Sequence, residues 1–288
     1  MLKKAGKINT TYIEGEKIPS IRYQIFQNIP FIKDGFSTRL GGVSQGQFQS
    51  MNFSVKMGDT TENVRENFRI FTEAHGFSNP VMTDQTHTVN VKRIFSGDAG
   101  KNIYVPKDYS DIDGFVTNEP GITLVTTFAD CVPLYFVDEV HKAIGLAHSG
   151  WKGTIGRIGQ HTIEHMKKEF GTNPRDIKAA IGPSICANCY EVSRELAEDF
   201  ATEFHCRIKQ TELPITIQNM DEIVYKKSEK YYLNLWAANF HVLLESGVLT
   251  DQIAIPDICT CCNQEVLFSH RASKGKRGNL CAFLMIEE

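Results

Sequence analysis

The sequence predicts an α+β protein with mixed β-sheets, and three observations support this class. Short apolar runs rich in Val, Ile, Tyr and Phe, such as 132–137 and 143–147, are broken by polar turns and predict buried strands. Segments with apolar residues at helical spacing, such as 159–170, predict amphipathic helices. The predicted strands and helices do not alternate regularly, which argues against a doubly wound parallel sheet.

The N-terminal third of the chain opens with an antiparallel segment and continues with a helix. Residues 18–26 alternate in polarity, as a half-buried strand does. Residues 60–75 form the helix, for which we expect Thr61 as the N-cap and Gly76 as the end. Residues 81–92 alternate again and predict a strand that places Gln85 and His87 on one face.

The remaining elements are predicted in the same way, strands from short apolar or alternating runs and helices from apolar residues at helical spacing. Strands are predicted in the segments 111–118, 121–127, 177–181 and 280–286, and helices at 193–204 and 234–246. The length of 288 residues allows one large domain or two small ones. Because the chain contains no internal repeat and no long linker, we expect residues 1–288 to form a single domain.

Composition and charge narrow the function classes. The chain is 41% hydrophobic and 23% charged with a net charge of −3, so no overall field attracts nucleic acid or an anionic membrane. No apolar run approaches the roughly 20 residues that span a bilayer, and no apolar segment follows the N-terminal lysines as in a signal peptide. We therefore expect a cytoplasmic protein whose eight cysteines are mostly reduced.

The stretch from residue 126 to residue 154 carries the strongest sign of a functional site. Cys131 stands directly before one predicted strand, and His148 ends the next. If the two strands pair as neighbours, a thiol and an imidazole meet at one edge of a sheet. A Gly-rich turn, Ser-Gly-Trp-Lys-Gly, follows His148 and leads into a helical pattern. This combination indicates a site rather than a core.

A metal centre is one interpretation of these residues. A catalytic zinc takes three protein ligands from Cys and His and leaves one position open, and His87, Cys131 and His148 meet that count. Their separations of 44 and 17 residues match no local zinc-binding motif. The residues alone also allow a Cys131–His148 hydrolase dyad, or a structural zinc site of four cysteines. Those four are Cys186, Cys189, Cys259 and Cys262.

Two segments are candidates for binding an anion. The Gly-rich loop 35–46 begins with Ser37 and Arg39, and its exposed backbone N–H groups suit an anion, although a plain turn has the same composition. The basic segment 271–278 fits a phosphate site or an ordinary charged surface loop. The chain has no Walker loop, no Rossmann fingerprint, no nucleophile elbow and no zinc-deaminase signature.

Six short motifs, in a fixed order from residue 35 onward, resemble one protein family. They are Phe-Ser-Thr-Arg-x-Gly-Gly-Val-Ser at 36–44, Asp-Gln-Thr-His at 84–87, Ala-Asp-Cys-Val-Pro at 129–133, His-Ser-Gly-Trp-Lys-Gly at 148–153, Gly-Pro-x-Ile with Cys-Tyr-Glu-Val at 182–192, and Ser-His-Arg at 269–271. The chain resembles the YfiH/YlmD family, formerly called multicopper polyphenol oxidases or laccase-domain proteins, and is most similar to its YlmD branch.

The resemblance implies a fold, a metal and an activity. The fold is a four-layer α/β/β/α sandwich of mixed sheets, shared with a cytotoxic deamidase domain. The metal is zinc, held by His87, Cys131 and His148. The activity is phosphorolysis of adenosine, inosine, guanosine and methylthioadenosine, together with deamination of adenosine. The partners are then a purine nucleoside and phosphate, with no nucleic acid and no membrane.

Within that activity, several residues have expected roles. Ser37, Arg39 and Arg271 are candidates for phosphate, because a guanidinium can hold it with two parallel hydrogen bonds. Asp130 is a candidate proton carrier or a partner that orients the neighbouring ligand Cys131. Two other functions stay open. One is a Cys–His hydrolase acting on amides or peptidoglycan precursors. The other is a copper polyphenol oxidase, which the scattered distribution of the nine histidines disfavours.

Overall fold

Two six-stranded β-sheets form the centre of the protein in the computed structural model, which describes residues 2–13 and 18–288. The strands of that described part are β1 Thr10–Ile13, β2 Ser20–Tyr23, β3 Ile32–Ser37, β4 Pro80–Met82, β5 Val91–Arg93, β6 Gly114–Thr117, β7 Thr123–Phe128, β8 Val132–Asp138, β9 Ala143–Ser149, β10 Ile177–Ile181, β11 Glu191–Val192, β12 Lys209–Gln210, β13 Val224–Lys227, β14 Lys230–Leu233, β15 Ile253–Ala254 and β16 Leu280–Ile286. The α-helices are α1 Thr61–His75, α2 Trp151–Ile155, α3 Ile158–Phe170, α4 Arg194–Glu203 and α5 Leu235–Glu245.

Both large sheets mix parallel and antiparallel pairs. The first has the strand order β1-β2-β3-β16-β7-β4, with β4 parallel to β7 and the other pairs antiparallel. The second has the order β15-β10-β8-β9-β6-β5, with parallel pairs at its two edges. A smaller sheet of β11, β14, β13 and β12 lies outside these two. The α+β class with mixed sheets is therefore confirmed.

The apolar side chains place these elements in four layers. A core between the sheets joins Leu284 of the first sheet to Tyr135 of the second. The other face of the first sheet packs on α1, where Phe71 stacks on Phe283 with ring centroids 4.5 Å apart. The other face of the second sheet is covered by α3 and α5, whose buried residues share one core with β8 and β10. The order helix, sheet, sheet, helix is the predicted sandwich.

Local signals fixed most element boundaries. The strands predicted at 177–181 and 280–286 are β10 and β16. The predicted N-cap of α1 was wrong by one residue, because Thr60 rather than Thr61 accepts the N–H of Asn63. Gly76 ends that helix in the left-handed conformation, as expected for a C-cap glycine. The expectation of a single domain remains a prediction.

The predicted strand at 81–92 was wrong. Only β4 and β5 lie within or next to this range, and residues 83–90 between them form a loop. The N–H groups of Thr86, His87 and Thr88 are bound by the carboxylate of Asp113 instead of a neighbouring strand. His87 has a φ of 66°, which a strand does not accommodate. The alternating polarity of this segment is therefore a loop pattern that mimics a strand.

No helix within residues 2–13 and 18–288 has the length and apolar character needed to cross a membrane.

Candidate metal centre

The pairing of β8 with β9 brings Cys131 and His148 to one sheet edge. The two strands are antiparallel, and Pro133 lies opposite His148. Cys131 directly precedes β8, so its thiol stands next to the imidazole at the end of β9. The sequence prediction for these two side chains is confirmed. Both strands are buried along their whole length, which gives the pair a rigid base.

His87 reaches the same point from the loop between β4 and β5. Its ring centroid lies 5.0 Å from that of His148, and the rings are inclined by 77°. One ligand atom each of His87, Cys131 and His148 lies within 4.8 Å of the other two. His148 is buried, Cys131 is half-buried and His87 is exposed, so the group opens to the surface on the His87 side.

Asp113 organises this group, and its only local signal is an acidic side chain in the turn before β6. Its buried carboxylate accepts the Nδ1 proton of His148 at 2.9 Å. It also accepts the backbone N–H groups of residues 86–88 at 2.9–3.1 Å. One carboxylate therefore fixes the ring of one histidine and the loop of the other. Nε2 of His148 is then the nitrogen that would hold a metal together with Cys131, and a carboxylate on the other nitrogen raises the basicity of a histidine ligand.

The charges of these groups support one another. Burial raises the pKa of Asp113, but the hydrogen bonds from His148 and the loop outweigh it and bring the pKa to about 2. Burial also raises the pKa of Cys131, and the charge and hydrogen bonds of His148, with those of His87, lower it to about 6. Burial lowers the pKa of His148, yet Cys131 and Asp113 raise it to about 9. Near neutral pH the metal-free pair is therefore thiolate and imidazolium.

Gly150 keeps the space between the three side chains free. A Cβ atom at this position would lie 3.0 Å from Cδ2 of His87 and 3.1 Å from Sγ of Cys131. It would also lie 3.7 Å from Cε1 of His148. The Gly in the predicted turn after His148 is thus required by close approach rather than by an unusual φ, which is −73°. A metal ion with Cys and His ligands fits this arrangement, because zinc accepts both kinds of donor in a tetrahedral shell.

A cleft of about 530 Å³ opens beside the three side chains, and two cations line it. Arg277 is half-buried, and partial burial lowers the pKa of its guanidinium, opposed by the charges of Cys131 and Asp130. Its Nη1 donates to Asn279, while its buried Nε has no hydrogen-bond partner within the described part of the chain. Lys56 is exposed and donates to the carbonyl of Gln85 at 3.0 Å. Sequence reasoning had marked the basic segment 271–278 as a whole but had not singled out Arg277.

A second, smaller cavity of about 280 Å³ meets the group from another side. It shares His87 and Cys131 with the first cleft, and its other lining is mostly apolar. Trp151, at the start of α2, and Tyr190, after the turn at 187–189, contribute the aromatic surface. The three side chains thus stand where a charged cleft and an aromatic pocket meet.

Ser37 and Arg39 lie elsewhere. Ser37 is fully buried at the end of β3, and its Oγ accepts the N–H of Cys281 at 2.9 Å. The guanidinium of Arg39 donates to the carbonyls of Gln49 and Gln264 and lies 4.6 Å from the ring centroid of Phe268. Neither residue lines the cleft or the pocket beside the three side chains. The structure does not bring them to the site for which the sequence suggested them.

Arg271 and Asp130 are close to the site but have structural partners. The guanidinium of Arg271 donates to the carbonyls of Cys189 and Glu191 and lies over the ring of Tyr190. Asp130 accepts the hydroxyl of Thr260 at 2.6 Å on one carboxylate oxygen and the N–H of Arg271 at 2.7 Å on the other. Both residues therefore hold the walls of the aromatic pocket in place.

The described residues contain a second group able to hold a metal. It consists of Cys186, Cys189, Cys259 and Cys262, whose sulfur atoms also lie within 4.8 Å of one another. These are the four cysteines that sequence reasoning considered as a structural zinc site. Among the described residues, His87 and His148 are the only histidines that belong to these two groups.

Fold and site together define an α/β/β/α sandwich with a His–Cys–His group, able to bind a metal, at the edge of one sheet. A family model described as Multi-copper polyphenol oxidoreductase laccase matches residues 33–287, and the chain belongs to that family. The resemblance found in the motifs is therefore confirmed.

Individual relatives agree with this assignment. The chain is 33% identical to the purine nucleoside phosphorylase YlmD of Bacillus subtilis, over 92% of each protein. Among solved structures, it is similar to YlmD from Geobacillus stearothermophilus, with a TM-score of 0.82 and 30% identity over 96% of this chain and 98% of that one. A hypothetical protein YfiH from Bacillus licheniformis matches with the same TM-score and 29% identity, over 96% of this chain and 99% of that one.

Proposed function

We propose that this protein is a zinc-dependent purine nucleoside phosphorylase that also deaminates adenosine. The observation that carries the proposal is the cleft in which His87, Cys131 and His148 stand beside the half-buried Arg277, whose Nε is buried and unpaired within the described part of the chain. A relative of similar length is named purine nucleoside phosphorylase, which supports the same class. The proposed substrates are adenosine, inosine, guanosine and methylthioadenosine, each with phosphate.

Phosphate binds in the charged cleft in this proposal. A buried donor without a partner is unfavourable unless a ligand completes it, and Nε of Arg277 is such a donor. A guanidinium binds phosphate through two parallel hydrogen bonds, which the free Nε side of Arg277 suits. Lys56, exposed on the same cleft, adds a second positive charge. We therefore transfer the phosphate-binding role from Ser37, Arg39 and Arg271 to Arg277 and Lys56.

The purine binds in the aromatic pocket. Trp151 and Tyr190 offer flat apolar faces, and aromatic rings stack favourably on a heterocyclic base. The ribose then lies between the pocket and the cleft, next to His87 and Cys131, which line both. This places the glycosidic bond between base and phosphate.

The reaction breaks the bond between C1′ of the ribose and N9 of the purine and forms a bond from C1′ to a phosphate oxygen. The proton of hydrogen phosphate ends on the departing base, so atoms and charge balance. Arg277 and Lys56 orient the phosphate toward C1′, and holding two reactants in line removes much of the entropic barrier. When bound, zinc supplies a Lewis acid that polarises an oxygen or nitrogen of the substrate and lowers the pKa of a water molecule.

Asp113 and Asp130 act by holding the metal ligands and their segments in position. Asp113 holds His148 in the tautomer with the proton on Nδ1, so that Nε2 is the ligand atom. Asp130 joins the segment before β8 to the loops that carry Thr260 and Arg271. Because both of its oxygens accept hydrogen bonds, we assign Asp130 a positioning role rather than proton transfer.

Deamination of adenosine uses the same pocket. Water adds at C6 of the purine, and ammonia leaves, so that inosine forms. The exposed side of His87 gives water access to the group. Both reactions then depend on His87, Cys131 and His148. Only phosphorolysis uses phosphate, so only phosphorolysis needs the phosphate-binding Arg277.

The decisive test is a product assay on zinc-loaded protein. Inosine with phosphate is expected to give hypoxanthine and ribose 1-phosphate, and adenosine without phosphate is expected to give inosine. Replacing phosphate by sulfate in the first reaction is the matched control. The absence of any phosphate-dependent product from all four nucleosides would refute the phosphorylase. Zinc content of the untreated protein separates this proposal from a copper polyphenol oxidase, which requires bound copper and oxygen uptake with a phenol.

A second candidate function is a Cys–His hydrolase acting on amides or peptidoglycan precursors. It is favoured by one observation: the thiol of Cys131 and the imidazole of His148 stand together at one sheet edge, and Asp113 orients the imidazole. The two functions respond oppositely to chelation. Removal of zinc abolishes phosphorolysis, whereas it exposes the nucleophile that a hydrolase needs. We place either activity in the cytoplasm, where the eight cysteines, all free in the structure, stay reduced.

A further inference from the structure

We infer that Cys186, Cys189, Cys259 and Cys262 bind a second zinc ion, which has a structural role and is separate from the His87 centre. In a tetrahedral zinc site with bonds of about 2.3 Å to sulfur, the sulfur atoms stand about 3.8 Å apart. The four sulfur atoms lie within 4.8 Å of one another, and Sγ of Cys189 is 3.5 Å from Sγ of Cys262. The cluster therefore has the size that one zinc ion requires.

The backbone presents the four sulfur atoms as two matched turns. Each pair is a Cys-x-x-Cys segment that folds into a short 3₁₀ turn, at residues 187–189 in one and 261–263 in the other. The two segments run side by side, because Thr260 donates its N–H to the carbonyl of Ser184. Two Cys-x-x-Cys turns facing each other form the usual shell of a structural four-cysteine zinc site.

One hydrogen bond suits a thiolate at Cys259. The backbone N–H of Cys186 donates to Sγ of Cys259 at 3.3 Å. An amide donor stabilises negative charge on sulfur, which a ligand thiolate carries and a thiol does not. Four sulfur atoms this close also repel one another once ionised, so a divalent cation is the partner that lets them all be thiolates.

Burial marks the site as structural. Cys186 and Cys259 are buried, Cys189 is half-buried and only Cys262 is exposed. Four protein ligands fill a tetrahedral shell and leave no position for a substrate, in contrast to a three-ligand catalytic site. The ion would join the turn that precedes Tyr190 to the loop that carries Thr260. Both contribute to the aromatic pocket, Tyr190 directly and Thr260 through its bond to Asp130.

Cys261 provides the matched control. It neighbours Cys262 in the same turn but is not one of the four sulfur atoms in the group. Substitution of either cysteine by serine makes the same chemical change in the same loop. Only the loss of Cys262 is expected to remove a zinc ion.

The test is the zinc content of the full chain, measured by elemental mass spectrometry after purification without chelator. Two zinc ions per chain are expected in the wild type and in Cys261→Ser, one in Cys262→Ser, one in His148→Ala, and none in the double variant Cys262→Ser with His148→Ala. A Cys262→Ser protein that keeps the wild-type content would overturn the inference. So would a His148→Ala protein that contains no zinc.

A second measurement holds even where Cys262→Ser fails to fold. X-ray absorption at the zinc edge of the His148→Ala protein is expected to show four sulfur neighbours at about 2.3 Å. A shell that contains nitrogen, an iron ion in place of zinc, or a disulfide between Cys189 and Cys262 would overturn the assignment. None of these outcomes depends on nucleoside turnover, so failure of the proposed function and failure of this site are distinguishable.

Discussion

The two groups of metal-ligating side chains differ in how the fold holds them. The His87, Cys131 and His148 group stands on the end of a buried sheet and is completed by a loop that the Asp113 carboxylate holds. The four-cysteine group consists of two turns joined to each other and has no strand among its ligands. The first group has three ligands and an exposed side, and the second has four and is largely enclosed. A three-ligand group with an exposed side on a rigid sheet suits a catalytic metal, whereas a four-ligand group enclosed between loops suits a metal that stabilises the fold.

The largest effect is expected from removal of Cys131, the sulfur ligand of the His87 centre. Cys131→Ala should lower phosphorolysis about 1000-fold, because a metal's contribution of several kcal/mol to the transition state is lost. The four-cysteine zinc should stay bound. The measurement combines steady-state rates with zinc content, and Cys206→Ala, which lies outside both groups, serves as control. Loss of both zinc ions in Cys131→Ala would show that the two groups are not independent.

The next effect concerns phosphate. Arg277→Met should raise the KM for phosphate about 100-fold, since hydrogen bonds to a charged group contribute about 1.5–3 kcal/mol. Deamination of adenosine should change little, because it uses no phosphate. Arg39→Met is the control, as its guanidinium is held by the carbonyls of Gln49 and Gln264. If Arg39→Met and not Arg277→Met raised this KM, the original assignment from the Gly-rich loop would be right.

Substitution of Asp113 tests how strongly zinc binding at the His87 centre depends on the carboxylate that orients its ligands. Asp113→Asn should weaken zinc binding at the His87 centre about 10- to 100-fold, because an amide replaces the carboxylate that orients His148 and the loop. Competition with a chromogenic chelator measures the affinity, and the four-cysteine site supplies an internal reference. Asp108→Asn, an exposed carboxylate paired with Lys101, should leave both affinities unchanged. Equal weakening at both sites would instead indicate general destabilisation.

The smallest expected effect is a shift in the pH at which Cys131 reacts. After removal of metal, the pKa of Cys131 is about 6, since His148 and His87 outweigh the effect of burial. A lowered pKa means that the thiolate persists down to that pH, so alkylation by iodoacetamide should rise through about pH 6. His148→Ala removes one partner and should move the midpoint upward. Peptide mapping by mass spectrometry follows Cys131, with Cys206 as reference because burial raises its pKa. A midpoint that does not respond to His148→Ala would contradict the ion pair.

The sequence was informative where a residue's role follows from its neighbours in the chain. Cys131 and His148 could be placed together because two apolar runs and a polar turn predict an antiparallel pair. Gly76 and the strand at 280–286 were also predictable from local signals. Cys186, Cys189, Cys259 and Cys262 could be named together from the sequence as a possible structural zinc site, and the fold brings their four sulfur atoms close to one another.

The rest depends on contacts between distant segments. Asp113 could not be recognised because an acid before a strand is common, and its partners are 25 to 35 residues away along the chain. His87 was assigned to a strand because its segment alternates in polarity, while the carboxylate that bends the loop is invisible locally. Arg39 looked suitable beside glycines, yet nearby carbonyls bind its guanidinium. Arg277 became a candidate only through its place in the cleft and its buried, unpaired Nε.

The His87 centre faces two cavities, and this arrangement has a kinetic consequence for the proposed reaction. In the proposed reaction the base forms in one cavity and the sugar phosphate in the other, and His87 and Cys131 line both. Each product then has its own exit, and neither has to wait for the other to depart. With a separate cavity for each product, the two products are expected to leave in random order. A symmetrical pattern of product inhibition would show this.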